Sequence, residues 1–229
     1  MRFVDRFRAL LFDMNGTFMF GHDRLSEEED FFATYRRLGG TRLTPPEVRK
    51  HVRESCVFLQ RIYDDPARVD SFPPLLDAVQ ARTGLDRADA GEIAEVIGDH
   101  EVGAVPRWAA EALRALATTH PLALVTNVWA PAPRWSPPLA AAGLTDLFRA
   151  RVFSSDLGCI KPSPRLFHAA LRELGVRPSD TLFIGDSLER DIRPAQALGM
   201  AAVLVGEPGA SREADLIVRS IADLPDALG

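Results

Sequence analysis

The stretch ALLFDMNGT, Ala9–Thr17, decides how the rest of the chain is organised. Four apolar residues, Ala9–Phe12, run straight into Asp13, and Gly16 supplies a turn residue shortly after. Short apolar runs bounded in this way suit strands buried on both faces, as in a parallel sheet. The pattern recurs at Leu122–Val125, Arg151–Phe153, Thr181–Ile184 and Ala201–Val205. Helical patterns lie between the later runs. Leu166, Phe167, Ala170, Leu171 and Leu174 share one helix face behind Pro164, a residue suited to a first helical position. Trp108, Ala112, Leu113 and Leu116 do the same. Strand–helix alternation from Val105 onward predicts an α/β fold, a doubly wound and mostly parallel sheet.

The stretch after the first strand breaks this rhythm. Residues 21–104 carry helical signals and no convincing buried strand. Ser26–Glu29 and Thr44–Glu47 both have the form of a capping box, the second with proline behind the cap. Apolar stripes follow: Phe31, Phe32, Tyr35 and Leu38; then Val48, Val52, Cys56 and Leu59. Leu75, Leu76 and Val79, then Ile93, Val96 and Ile97, complete a four-helix insert. The expected division is therefore a core of residues 1–20 and 105–229, with residues 21–104 as a helical cap.

The composition narrows the function classes. The 229-residue chain is 26% charged, 46% hydrophobic and carries a net charge of −5, which argues against a bulk nucleic-acid or anionic-membrane binder. Cys56 and Cys159 make no disulfide framework and no CxxC spacing. The N-terminal apolar run is too short for a signal-peptide core or a membrane span. The expectation is a cytoplasmic protein with neither nucleic-acid nor membrane partner, monomer and homodimer both being open. Of 27 basic residues only Lys50 and Lys161 are lysines.

In an open α/β sheet, ligands bind beyond the carboxyl ends of the strands. The first run delivers Asp13-Met14-Asn15-Gly16-Thr17 to that rim, and the second Thr126-Asn127. Lys161 follows the third run, and Gly185-Asp186-Ser187 the fourth, with Asp191 five residues beyond Asp186. Each has a plainer reading alone: turn residue, loop cap, helix N-cap or solvated cation. Their joint arrival at successive strand ends weakens those readings. Lysine in an arginine-rich chain points to a compact charge with rotatable donors. The chemistry that wants this set is phosphoryl transfer through an aspartate. Mg²⁺, held by carboxylates, would offset repulsion between a carboxylate nucleophile and a small phosphorylated substrate. Asp13 would attack, with Asp186 and Asp191 at the metal. Lys161 would orient Asp13, and Thr126 and the backbone N–H groups after Asp13 would bind phosphate.

With FDMNGT (Phe12–Thr17), LVTN (Leu124–Asn127), Lys161 in CIKPSPRLF and FIGDSLERD (Phe183–Asp191), the sequence resembles the haloacid dehalogenase-like hydrolase superfamily. The resemblance implies a Rossmann-like core, a helical cap that sets substrate choice, and Asp13 as nucleophile. It further implies phosphate binding by Thr126 and Lys161, and Mg²⁺ on Asp13, the Asn15 carbonyl and Asp186. Met14, Gly16 and Asn127 join the expected phosphate-binding set.

One position departs from the pattern. The family's phosphatases carry a second aspartate, the general acid and base, where this chain has Asn15. An amide cannot exchange that proton, and such catalysis is worth roughly 10²–10⁴-fold. The expectation is a slow phosphatase, or one whose substrate has a good leaving group. Deamidation of Asn15 before Gly16 would restore the acid. Two alternatives stand beside it: C–P cleavage like that of phosphonoacetaldehyde hydrolases, with Lys50 forming a Schiff base, and a non-catalytic phosphate-binding regulator. Haloacid dehalogenation fits less well, because that branch has an aromatic residue at the Asn15 position. His22, Asp23 and Arg24 are expected in a solvated hinge, Cys159 as a small buried hydrophobe, and Trp129 either packed or lining the pocket.

Overall fold

Every residue of Ala9–Phe12 is buried, as a strand covered on both faces must be. The computed structural model describes residues 2–207 and 213–227. Its sheet comprises β1 (Ala9–Phe12), β2 (Leu122–Thr126), β3 (Phe148–Phe153), β4 (Thr181–Gly185), β5 (Ala201–Val205) and β6 (Leu216–Val218). The order is β3-β2-β1-β4-β5-β6, and every neighbouring pair is parallel. The chain builds outward from β1 to β3, then returns to β4 on the other side of β1. The strand order therefore reverses between β1 and β4, where an open α/β sheet leaves a crevice for ligand.

The helices are α1 (Phe31–Arg37), α2 (Pro45–Tyr63), α3 (Leu75–Thr83), α4 (Arg87–Glu101) and α5 (Arg107–Ala117), then α6 (Ser136–Ala141), α7 (Ser154–Leu157), α8 (Pro164–Leu174) and α9 (Arg193–Ala197). Successive strand residues point to opposite faces and divide the core. Leu10, Phe12, Leu124 and Ile184 pack with Leu113 and Leu116 of α5. Leu11, Val125 and Phe183 pack with Leu166, Phe167 and Ala170 of α8. A third cluster, which includes Phe31, Tyr35, Val52, Leu59 and Val96, lies among α1–α4, and Ile160 from the sheet side enters it.

The two segments joining α1–α4 to the sheet run side by side. Phe20 and Ala104 exchange backbone hydrogen bonds of 2.9 Å in each direction. A Cβ on Gly103 would lie 2.6 Å from the Phe20 carbonyl oxygen, so this close approach needs glycine. On the far side, the Ile160 N–H donates to Val69 O at 2.8 Å, and the Phe72 N–H to Gly158 O at 2.9 Å.

Three local expectations meet different outcomes. At Thr44, the Glu47 carboxylate accepts from the Thr44 N–H at 2.8 Å and from its hydroxyl at 2.6 Å, and α2 starts there. At Ser26 no helix begins. Asp30 caps α1 by accepting from the Ala33 N–H at 2.9 Å, while Glu29, the acid a box at Ser26 would use, lies 3.3 Å from His100 Nδ1 of α4. Strand β3 begins at Phe148, earlier than its apolar run, because an edge strand can expose Arg149 between buried Phe148 and Ala150. No helix among the described residues is long and apolar enough to cross a membrane.

Candidate active site

Parallel strands end together, so the residues that follow them meet. The Asp13 N–H donates to Ile184 O at 2.8 Å, which sets Asp13 against the end of β4. Lys161 reaches the same place from the loop after α7. Its Nζ donates to Asp13 Oδ1 at 2.5 Å and to Asp191 Oδ1 at 2.6 Å. All three side chains are buried. Burial alone would lower the Lys161 ammonium, but the two carboxylates outweigh it and hold the group above its ordinary range. Burial pushes Asp191 up to about 7 against the pull of Lys161. Desolvation, then the neighbouring Asp13, raises Asp186 to about 6.

Two glycines permit this crowding. Gly16 has φ +80°, and a Cβ there would run into the Asp186 carboxylate. A Cβ on Gly185 would lie 2.5 Å from Asp191 Cγ. The turn after Asp13 and the end of β4 can close on the acids only because neither position carries a side chain.

Carboxylate oxygens of Asp13, Asp186 and Asp191 lie within 4.8 Å of one another, a cluster that could hold a metal ion. Three carboxylates face one ammonium, so the cluster keeps a surplus of negative charge that a hard divalent cation would offset. Asp191 also meets two donors: one oxygen accepts from Lys161 Nζ and the other from the Ser187 N–H at 3.1 Å. Asp186, the exposed member, lines the cavity above. Unsatisfied groups surround the same spot. Thr126 Oγ1 and Asn15 Oδ1 are buried without a hydrogen-bond partner. Among the described residues the Met14 and Asn15 N–H groups also find no acceptor, whereas the Gly16 N–H is taken by Met19 O at 3.0 Å. The Met14 side chain is fully buried in the core. Buried polar groups are seldom left unpaired, and these would suit the oxygens of a bound anion.

Sequence reasoning named Asn127, as a phosphate-binding residue, but missed Tyr63, Arg190 and Glu101, which with it brace this arrangement. Asn127 Oδ1 accepts from the Lys161 N–H at 2.7 Å, and Nδ2 donates to Lys161 O at 3.3 Å and to Tyr63 Oη at 3.2 Å. Its amide is thus committed to holding the Lys161 loop. The Arg190 guanidinium lies 3.7 Å over the Tyr63 ring and donates to Lys161 O at 2.6 Å and Tyr63 O at 2.7 Å. Arg190 therefore ties the end of α2 to the Lys161 loop. Glu101, at the end of α4, accepts from the Trp129 and Ala130 N–H groups, each at 2.6 Å, and fixes the loop after β2. Burial raises Glu101 to about 8, although both N–H groups pull it down.

Two adjoining cavities open here. One, about 290 Å³, is lined by Asp13, Lys161, Asp186, Ser187, Arg190 and Asp191 among others. The second, about 410 Å³, runs under α2 between Leu25, Cys56, Val57, Gln60, Glu101 and Trp129. Asn15, Asp23, Tyr63 and Asn127 line both. Trp129 is thus a wall residue, and Asp23, with φ +54°, is a rim residue rather than plain linker. His22 lines the smaller cavity. Cys159 is fully buried in the core, as expected. Lys50 is exposed on α2 and lines neither cavity.

The family model for haloacid dehalogenase-like hydrolases matches residues 7–199. The chain belongs to this family. Its fold is that of a phosphatase of the family from Thermococcus onnurineus (27% identity, TM-score 0.61, 96% of each chain). A 2-haloacid dehalogenase from Pseudomonas syringae shares the fold at 24% identity and TM-score 0.66, over 96% of this chain and 97% of that one. Among curated members, phosphoglycolate phosphatase of Chromobacterium violaceum is 30% identical over 96% of both chains. Glyceraldehyde 3-phosphate phosphatase of Methanopyrus kandleri is 35% identical over 38% of this chain. The chain spans 36% of that protein and 48% of the phosphoglycolate phosphatase of Pectobacterium atrosepticum.

Proposed function

We propose that this hydrolase releases phosphate from a small phosphorylated metabolite through a phospho-aspartyl intermediate on Asp13. One observation carries the reading: Asp13 is held by Lys161 beside Asp186, amid buried polar groups that have no partner in the protein. A nucleophilic carboxylate needs a fixed orientation and a site that tolerates incoming negative charge. Lys161 supplies the first, and the unsatisfied Thr126 hydroxyl and the Met14 and Asn15 N–H groups answer the second. Asp13, the Asn15 carbonyl and Asp186 would hold Mg²⁺, with Asp191 as a prop between Lys161 and Ser187. The bound ion would supply charge neutralisation at the phosphoryl oxygens.

In the first step an Asp13 oxygen forms a bond to phosphorus while the bond to the leaving alkoxide breaks. In the second, water attacks phosphorus, phosphate departs and the Asp13 carboxylate is restored. Asn15 stands where the two cavities join, yet its amide gives no proton to the leaving oxygen, so that proton must come from water and turnover is slow. Residues 21–104 act as the cap over this site. Exposed Lys50 does not favour Schiff-base chemistry. A cytoplasmic protein without nucleic-acid or membrane partner accords with the net charge of −5. The test is phosphate release from a panel of phosphate monoesters with and without Mg²⁺. Release that needs both Mg²⁺ and Asp13 supports the reading; release that survives Asp13→Asn overturns it.

A further inference from the structure

The two cavities differ in their charged groups. The smaller one holds cations, and its two strongest are already anchored: Lys161 between Asp13 and Asp191, Arg190 on two backbone carbonyls. Among the described residues the larger one has no arginine, lysine or histidine in its lining, His22 reaching only Asp23 at its mouth, at 3.6 Å. Its charged or titratable members are the Asp23 and Glu101 carboxyls, the Cys56 thiol and the Tyr63 phenol, and burial pushes the thiol up to about 12, leaving it neutral. Leu25, Val57 and Trp129 give it an apolar wall, and the amides of Gln60 and Asn127 give it neutral hydrogen-bonding groups. A separate groove that carries Arg53, Arg61 and Arg82 shares only Val57 with it.

We infer that the substrate is a phosphate monoester whose alcohol portion bears no negative charge and presents an apolar body to this second cavity. The inference rests on the phosphatase reading, which puts the phosphoryl group in the smaller cavity. The alcohol portion then has to pass Asn15 and Asp23 into the larger one. A carboxylate carried there would lose water and meet the Asp23 and Glu101 carboxyls, and the one imidazole near them, His22, already lies 3.6 Å from Asp23, an arrangement that selects against it. A neutral alcohol loses little by entering, and its apolar atoms gain contact with Trp129, Val57 and Leu25. Size points the same way. A cavity of 410 Å³ falls in the range of small-molecule pockets and is far larger than a glycolyl group needs. Glycolate carries the disfavoured charge as well, so this chain and the phosphoglycolate phosphatases it matches are expected to part at the substrate's alcohol portion.

The test compares phenyl phosphate, glycerol phosphate and phosphoglycolate as substrates with Mg²⁺, for the wild type and for Val57→Arg. Val57 is 53% exposed, so an arginine is accommodated there while its charge reaches the cavity wall. For the wild type, kcat/KM for phosphoglycolate is expected to fall below that for phenyl phosphate by about tenfold or more. Val57→Arg is expected to narrow that ratio by raising the phosphoglycolate value. Equal or better use of phosphoglycolate by the wild type, or an unchanged ratio in Val57→Arg, overturns the inference. If no ester yields phosphate in an Asp13-dependent way, the phosphatase reading itself fails. Binding of the same three esters to Asp13→Asn protein with Mg²⁺ then decides the cavity claim separately. Tightest binding of phenyl phosphate upholds it, whereas tightest binding of phosphoglycolate, or no binding of any ester, ends it.

Discussion

The rim of the sheet and the space under α2 adjoin, yet they are built by opposite means. At the rim, charge meets charge: Lys161 Nζ lies 2.5 Å from Asp13 and 2.6 Å from Asp191, all buried, so each group fixes the next. Under α2, apolar and amide side chains define a shape, and among the described residues the lining carries neither arginine nor lysine. The contrast separates two tasks within one fold. The rim is suited to holding one chemical group, a phosphoryl oxygen set, whatever it is attached to. The space under α2 is suited to choosing what is attached.

The contrast breaks most sharply if the rim can be altered without consequence. We expect Asp13→Asn to reduce phosphate release by about a thousandfold or more, because on the proposed reading Asp186 serves the metal and Asp191 braces Lys161, which leaves neither to attack. An initial-rate assay on the best ester checks this. Asn15→Asp acts in the other direction. It supplies the missing proton donor at the junction of the cavities, and turnover is expected to rise by about 10²-fold or more, read as kcat on a poor leaving group such as glycerol phosphate. A rise confined to esters with poor leaving groups would sharpen the distinction between chemistry at the rim and selection beyond it.

Smaller effects test how the rim is held. Lys161→Met leaves Asp13 and Asp191 buried without their cation, and is expected to cost about 3–5 kcal/mol in denaturant unfolding. Gly16→Ala forces a side chain into a φ +80° turn and against Asp186. The expected result is loss of the thermal protection given by Mg²⁺, with about 1–3 kcal/mol of strain in unfolding. Glu101 probes the other region. Its folded value, about 8, lies above the ordinary 4.5, so between these the folded chain keeps a proton that the unfolded chain releases. Stability from this group is complete below about 4.5 and lost as pH rises through about 8. A melting series across that window is expected to fall by a few degrees, and Glu101→Gln to flatten the fall.

What could be seen in the sequence follows the same divide. Asp13, Lys161 and Asp186 were legible because apolar strands announce their own ends, and a lysine among arginines stands out. The braces were not. Arg190 and Glu101 act on backbone carbonyls and N–H groups, which every residue carries and which therefore leave no pattern in side-chain type. Asp191 was expected at the metal and lies in the acidic cluster with Asp13 and Asp186, but its contacts with Lys161 and the Ser187 N–H are a geometry that spacing alone does not carry. Strand β6, three residues between Asp215 and Arg219, was too short for its apolar run to register. The space under α2 draws its walls from residues between Asn15 and Trp129, so its lack of cations appears only once the chain has folded.

The most direct measurement is made on the nucleophile. Protein mixed with a turned-over ester and Mg²⁺, quenched in acid during the steady state and digested, is analysed by peptide mass. A phosphoryl group on the peptide carrying Asp13, absent without Mg²⁺ and absent in Asp13→Asn, is the expected result. Continued phosphate release with that peptide unmodified, or with the phosphoryl group on another residue, would contradict the role given to Asp13.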